Sequence, residues 1–125
     1  MDANDFVKDL TDAQELMRDE KYIDALVILN KLKEADKAGE FDYNLTHKLY
    51  QLISNSQSLF NQQRVLSVVK IISQKQKSIS FIALNTILKE QEDVELDELI
   101  LRREVEILIL RSLLACKIEG NDLVF

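Results

Sequence analysis

The sequence predicts a mainly helical protein that ends in a small β-hairpin, and three observations predict it. Apolar residues recur at three- and four-residue spacing through most of the chain. The 125 residues include no proline and only two glycines, Gly39 and Gly120, which favours long helices with few sharp turns. Two short runs flank Gly120-Asn121, the pattern of a two-residue hairpin turn. With 46% hydrophobic and 30% charged residues the chain reads as a folding sequence, not a disordered tail. Its length suits one domain or two small ones sharing a core.

The elements follow in order. Phe6, Leu10, Ala13 and Met17 mark a first amphipathic helix, with Asp2 or Asn4 as its cap and Asp5 in its first turn, where negative charge suits the dipole. Tyr22, Ala25, Leu26, Leu29 and Leu32 mark a second. The short corner at Glu20-Lys21 predicts that the two pack as a hairpin, and Gly39 is the glycine available to end the second. Asn44 is placed to cap a third helix carrying Leu45, Leu49, Leu52 and Ile53. The polar Ser54-Asn55-Ser56-Gln57-Ser58 then reads as an internal boundary. A fourth helix carries Leu59, Val65, Leu66, Val69 and Ile72. Ser78-Ile79-Ser80 suits a three-residue strand, with Ser80 capping a fifth helix through Phe81, Leu84, Ile87 and Leu88. After an acidic loop, Glu90 to Glu95, a sixth helix is expected from about Asp97 to Cys116 as the most buried of all. Lys117-Ile118-Glu119 and Asp122-Leu123-Val124-Phe125 complete the hairpin, with Ile118, Leu123 and Phe125 on one side. The expected division is a helical bundle over 1–58 and a winged-helix subdomain over 59–125, since helix, strand, helix, helix and hairpin is the winged-helix order.

Two stretches resemble a known family at residue level. Glu20-Lys21-Tyr22-Ile23-Asp24-Ala25-Leu26 looks like the corner of a tetratricopeptide-like hairpin. Ser78-Ile79-Ser80-Phe81-Ile82-Ala83-Leu84, then Arg103-Glu104-Val105-Glu106-Ile107-Leu108-Ile109, then Leu114-Ala115-Cys116-Lys117-Ile118-Glu119, resemble the winged helix of the PCI domain. That family builds scaffold subunits of the proteasome lid, the signalosome and initiation factor three. The resemblance implies a non-catalytic assembly subunit whose partners are other PCI-type subunits in a hetero-oligomeric complex, in the cytoplasm or nucleus.

The chemistry in the residues points the same way. His47 is the only histidine and Cys116 the only cysteine, so neither a disulfide nor a cysteine zinc cage can form, and a reducing compartment fits. A helix histidine flanked by Thr46 and Lys48 reads as an exposed or half-buried residue, and Cys116 as a small buried one; a nucleophile would need an oriented base. The two glycines lie too far apart for a phosphate loop. Asp93, Glu95, Asp97 and Glu98 lack the alternating ligands and central glycine of a calcium loop. No enzyme, cofactor, metal or small-molecule substrate is expected. The acidic start, Met-Asp-Ala-Asn-Asp-Phe, lacks the features of a signal or transit peptide. The most apolar stretch, Val105 to Ala115, is far short of the roughly 20 residues a membrane span needs, so a soluble intracellular protein with no membrane partner is expected.

Charge is unevenly spread about a net −6. Residues 1–60 carry 7 basic and 12 acidic side chains, and residues 90–125 carry 4 and 10. Between them, Arg64, Lys70, Lys75, Lys77 and Lys89 stand with no acid over 61–89. A basic band in a winged helix raises nucleic-acid binding as the alternative function. The helix that would enter the groove carries Glu98, Glu104 and Glu106 beside Arg102, Arg103 and Arg111, which disfavours it. Arg64, Lys70, Lys75 and Lys77 then read as a solvated face or as a seam for an acidic partner subunit. The surplus of leucines and isoleucines on the sixth helix fits either a fully buried helix or a partner-facing one. Ile118, Leu123 and Phe125 are the candidate contact residues, because an open strand edge templates sheet extension. A free-standing helical adaptor is a third reading.

Overall fold

A computed structural model, describing residues 1–39 and 41–125, is mainly helical with a small three-stranded antiparallel sheet. The elements among these residues are α1 (Ala3–Arg18), α2 (Tyr22–Ala38), α3 (Tyr43–Ser73), β1 (Ser78–Ser80), α4 (Phe81–Glu92), α5 (Glu98–Leu110), β2 (Lys117–Glu119) and β3 (Asp122–Val124). They form two compact units, Met1–Phe60 and Asn61–Phe125. Each has its own buried side chains, and α3 supplies residues to both.

In the first unit the Asp2 carboxylate caps α1 by accepting from the Asp5 N–H at 2.8 Å. The helix then closes on itself: Glu20 N–H donates to the Met17 carbonyl and Lys21 N–H to that of Leu16. Glu20 takes the left-handed conformation, φ 61°, that this closure requires. The chain turns at once into α2, which packs on α1 and buries Phe6, Leu10, Ala13, Leu29 and Leu32 with Leu49 and Leu52 of α3. Phe41 seals one end, its ring 4.5 Å from that of Phe6. Gly39 does end α2, but with an extended backbone, and an added Cβ there would lie 3.0 Å from the Phe41 ring.

Two expectations are corrected here. Asp42, not Asn44, starts the third helix, its carboxylate accepting from the Asn44 N–H at 2.8 Å. The expected boundary at Ser54–Ser58 is helix: α3 runs unbroken for 31 residues, so the third and fourth helices are one. Serine and asparagine cost a helix only a few tenths of a kcal/mol each, and without glycine or proline nothing forces a break. Ser56 is fully buried.

In the second unit Val65, Val68, Val69 and Ile72 of α3 are buried, as are Ile79, Phe81, Leu84, Leu88, Leu101, Val105, Leu108 and Leu123. Ser80 caps α4, its hydroxyl accepting from the Ala83 N–H at 3.1 Å, and Asp97 caps α5. The sixth helix expected to reach Cys116 ends at Leu110 instead, as α5. Ser112 there adopts φ 60° and Leu113 N–H donates to the Leu108 carbonyl, the same left-handed closure as at Glu20. Nor is it the fully buried helix: Leu99 is 76% and Leu110 83% exposed. The sheet order is β1-β3-β2, with Ser78, Ile79 and Ser80 facing Val124, Leu123 and Asp122, and Lys117, Ile118 and Glu119 facing the same three from the other side. Gly120, φ 60°, takes the first central position of the turn, where a II′ hairpin needs glycine.

Candidate protein-interaction edge

Strand order decides what the hairpin can offer. Among the described residues β3 is paired on both sides, while β1 and β2 each keep one unpaired edge. Leu123, expected among the contact residues, lies on β3 and is 0% exposed; it is a core residue, and its place in the candidate set is corrected. Ile118 lies on β2, half-buried, opposite Leu123. Phe125 follows β3, its N–H donating to the Lys77 carbonyl at 3.0 Å. Two grooves flank β2. One, about 570 Å³, is lined by Glu106, Ile109 and Leu110 of α5 with Cys116, Lys117 and Ile118. The other, about 460 Å³, is lined by Ala115, Cys116, Lys117, Glu119, Val124 and Phe125. Ile118 and Phe125 thus serve different grooves.

The hairpin is anchored by a residue that charge counting does not single out. The Arg102 guanidinium donates to the Gly120 carbonyl at 2.6 Å and stands 4.7 Å from the centre of the Phe81 ring. Phe81 N–H in turn donates to the Asn121 carbonyl at 2.9 Å. The turn is therefore tied to α4 and α5, which orients β2. Arg102 sits one turn beyond Glu98 on an amphipathic helix, and nothing in that spacing reveals a contact 18 residues away.

One charge of α5 does not face outward. Glu104 is 0% exposed; one carboxylate oxygen accepts from Gln62 Nε2 at 3.2 Å and the other from Arg103 Nε at 3.2 Å. Arg111 donates to Gln62 Oε1 at 2.6 Å. A carboxylate in the interior requires such donors, because burial without them costs several kcal/mol.

The basic band is divided. Arg64 pairs with Glu92 at 3.3 Å and Lys89 with Glu95 at 3.0 Å. Glu95 also holds the Lys89 ammonium above its ordinary value, by hydrogen bond first and by charge second. Lys70, Lys75 and Lys77 remain exposed at the end of α3 and the turn after it.

His47 is exposed and stacks on Tyr43, ring centroids 6.0 Å apart. Burial pushes the Cys116 thiol up from its ordinary value, the opposite of what an activated nucleophile needs. Among the described residues no His, Cys, Asp and Glu side chains gather in a metal-holding group, and no helix is long and apolar enough to cross a membrane. The chain is thus a mainly helical protein with an accessible sheet edge beside an apolar helix surface. Compared with known proteins, it matches no family model, no curated protein and no solved structure.

Proposed function

We propose that the chain is a non-catalytic scaffold subunit of the PCI type, with a tetratricopeptide-like helical part and a winged helix formed by the later part of α3, β1, α4, α5 and the hairpin. It joins other PCI-type subunits in a cytoplasmic or nuclear hetero-oligomer. The observation that carries this reading is the unpaired edge of β2 lying beside exposed Leu110. An unpaired strand offers N–H and C=O groups to an incoming chain, and adjoining apolar side chains add area to the contact. The resemblance through Ser78–Leu84, Arg103–Ile109 and Leu114–Glu119 supports the family, and the element order with β3 central supports the winged helix.

Affinity purification of the full-length protein in moderate salt, with co-purifying chains identified by mass spectrometry, tests it. Several lid, signalosome or initiation-factor subunits in comparable amounts are expected. Leu110→Glu, at an exposed position, should reduce their recovery while circular dichroism stays unchanged. Recovery of nuclease-sensitive material alone overturns the scaffold reading.

Nucleic-acid binding is the second reading, favoured by exposed Lys70, Lys75 and Lys77. It requires steeply salt-dependent binding that weakens when Lys75 and Lys77 become glutamate. The pairing of Arg64 and Lys89 with carboxylates of their own chain leaves it a smaller cationic patch.

A further inference from the structure

The β2 edge reads Lys117-Ile118-Glu119, and this triplet is complementary to itself in one arrangement only. Laid antiparallel against a second copy with Ile118 opposite Ile118, each Lys117 faces a Glu119 and each Glu119 a Lys117. Laid parallel in register, lysine meets lysine and glutamate meets glutamate. Opposite charges directly across a strand pair are favourable and like charges unfavourable, so the triplet selects the antiparallel register.

The backbone agrees. Glu119 and Asp122 flank the two-residue turn, so they form its hydrogen-bonded pair. Bonded and non-bonded pairs alternate along an antiparallel ladder, which leaves the N–H and C=O of Ile118 pointing away from β3. Those are the groups that a strand centred on Ile118 would engage, giving two hydrogen bonds across the axis. Side chains alternate as well. Ile118 shares its sheet face with Leu123, while Lys117 and Glu119 lie on the opposite face with Val124 and Asp122. The charged pairs would therefore line up together on one surface of the joined sheet. β1, the other open edge, reads Ser-Ile-Ser and carries no such pattern.

We propose that the chain forms a two-fold homodimer through antiparallel pairing of β2 with β2 of a second copy, centred on Ile118. The proposal rests on the reading of this edge as an assembly surface and adds a second copy of the chain as its occupant. Because the same patch meets itself, the contact closes and does not propagate into a filament. One strand edge is occupied once, so the homodimer and any subunit pairing there exclude each other. A three-residue ladder is small, and the dimer is expected at micromolar, not nanomolar, affinity.

The test is a charge swap on the purified full-length chain, followed by sedimentation equilibrium up to several hundred micromolar. Lys117→Glu alone and Glu119→Lys alone each turn two attractive pairs into two repulsive ones, and each should weaken dimerisation by about tenfold or more. Mixing the two single variants restores both pairs, so a one-to-one dimer of near wild-type affinity should reappear. The double swap should homodimerise unaided. Both positions are exposed, and circular dichroism checks that the fold is kept. A monomeric wild-type chain, single variants that dimerise undiminished, or a mixture that fails to pair would overturn the proposal. None of these results bears on hetero-assembly, which the co-purification decides. Absence of PCI-type partners, conversely, leaves the charge swap intact.

Discussion

Glu104 and Gln62 offer the sharpest test of how the second unit is held together. Glu104→Ala removes a fully buried carboxylate that accepts from Gln62 at 3.2 Å. A hydrogen bond to a charged group contributes about 1.5–3 kcal/mol, and the buried amide left behind loses an acceptor at about 1–3 kcal/mol. A loss near 3 kcal/mol is expected. Gln62→Leu keeps most of the volume but withdraws a donor from the carboxylate and an acceptor from Arg111, so a loss of about 2 kcal/mol follows. The two changes remove the same bond. The double variant should therefore be more stable than the sum by about 1.5 kcal/mol. Urea unfolding by far-UV circular dichroism measures each corner of the cycle. Tyr22, Tyr43 and Tyr50 all lie in the Met1–Phe60 unit, so tyrosine fluorescence separately reports whether that unit is affected. A coupling below about 0.5 kcal/mol, or a Glu104→Ala loss under about 1 kcal/mol, would refute the argument that this buried carboxylate depends on Gln62.

Three more outcomes are expected. Glu20→Gly and Ser112→Gly, at φ 61° and 60°, should each stabilise by about 0.5 kcal/mol in thermal unfolding, because relief of left-handed strain exceeds the added chain entropy. Gly39→Ala should instead destabilise by about 1 kcal/mol, since its Cβ would meet the Phe41 ring at 3.0 Å and the Ala35 carbonyl at 3.3 Å; equal stability of the variant would remove that contact from the account. Cys116 should react with iodoacetamide more slowly than a free cysteine at pH 8. Its raised pKa keeps it a thiol, and the rate should climb only as the solution passes above the ordinary thiol range; fast labelling near neutrality contradicts this.

Where the sequence could be read, local chemistry and local structure agreed. Phe6, Leu10 and Ala13 are one helical face because their spacing is helical, and Ser80 caps α4 because its hydroxyl reaches the third N–H beyond it. Gly120-Asn121 makes its turn for the same local reason. What could not be read depends on distant partners or on backbone states that composition conceals. Ser112 ends α5 in a conformation usually left to glycine, so a run of leucines looked like six more residues of helix. Nothing within the hairpin says which of its strands β1 will join. That pairing moved Leu123 from a supposed contact residue to the core while leaving Ile118 at the edge. The basic band was visible as a gap in the acids, but Glu92 and Glu95, which neutralise part of it, lie outside that window.

The unbroken course of α3 has a consequence for anyone wishing to study the halves alone. The junction between Phe60 and Asn61 falls inside a helix, not in a linker. Severing the chain there would strip four carbonyls of their donors on one fragment and four N–H groups of their acceptors on the other. Each fragment would also carry a freshly cut, uncapped terminus next to its core. A cut between the two units therefore costs backbone hydrogen bonds that a cut in a linker would not.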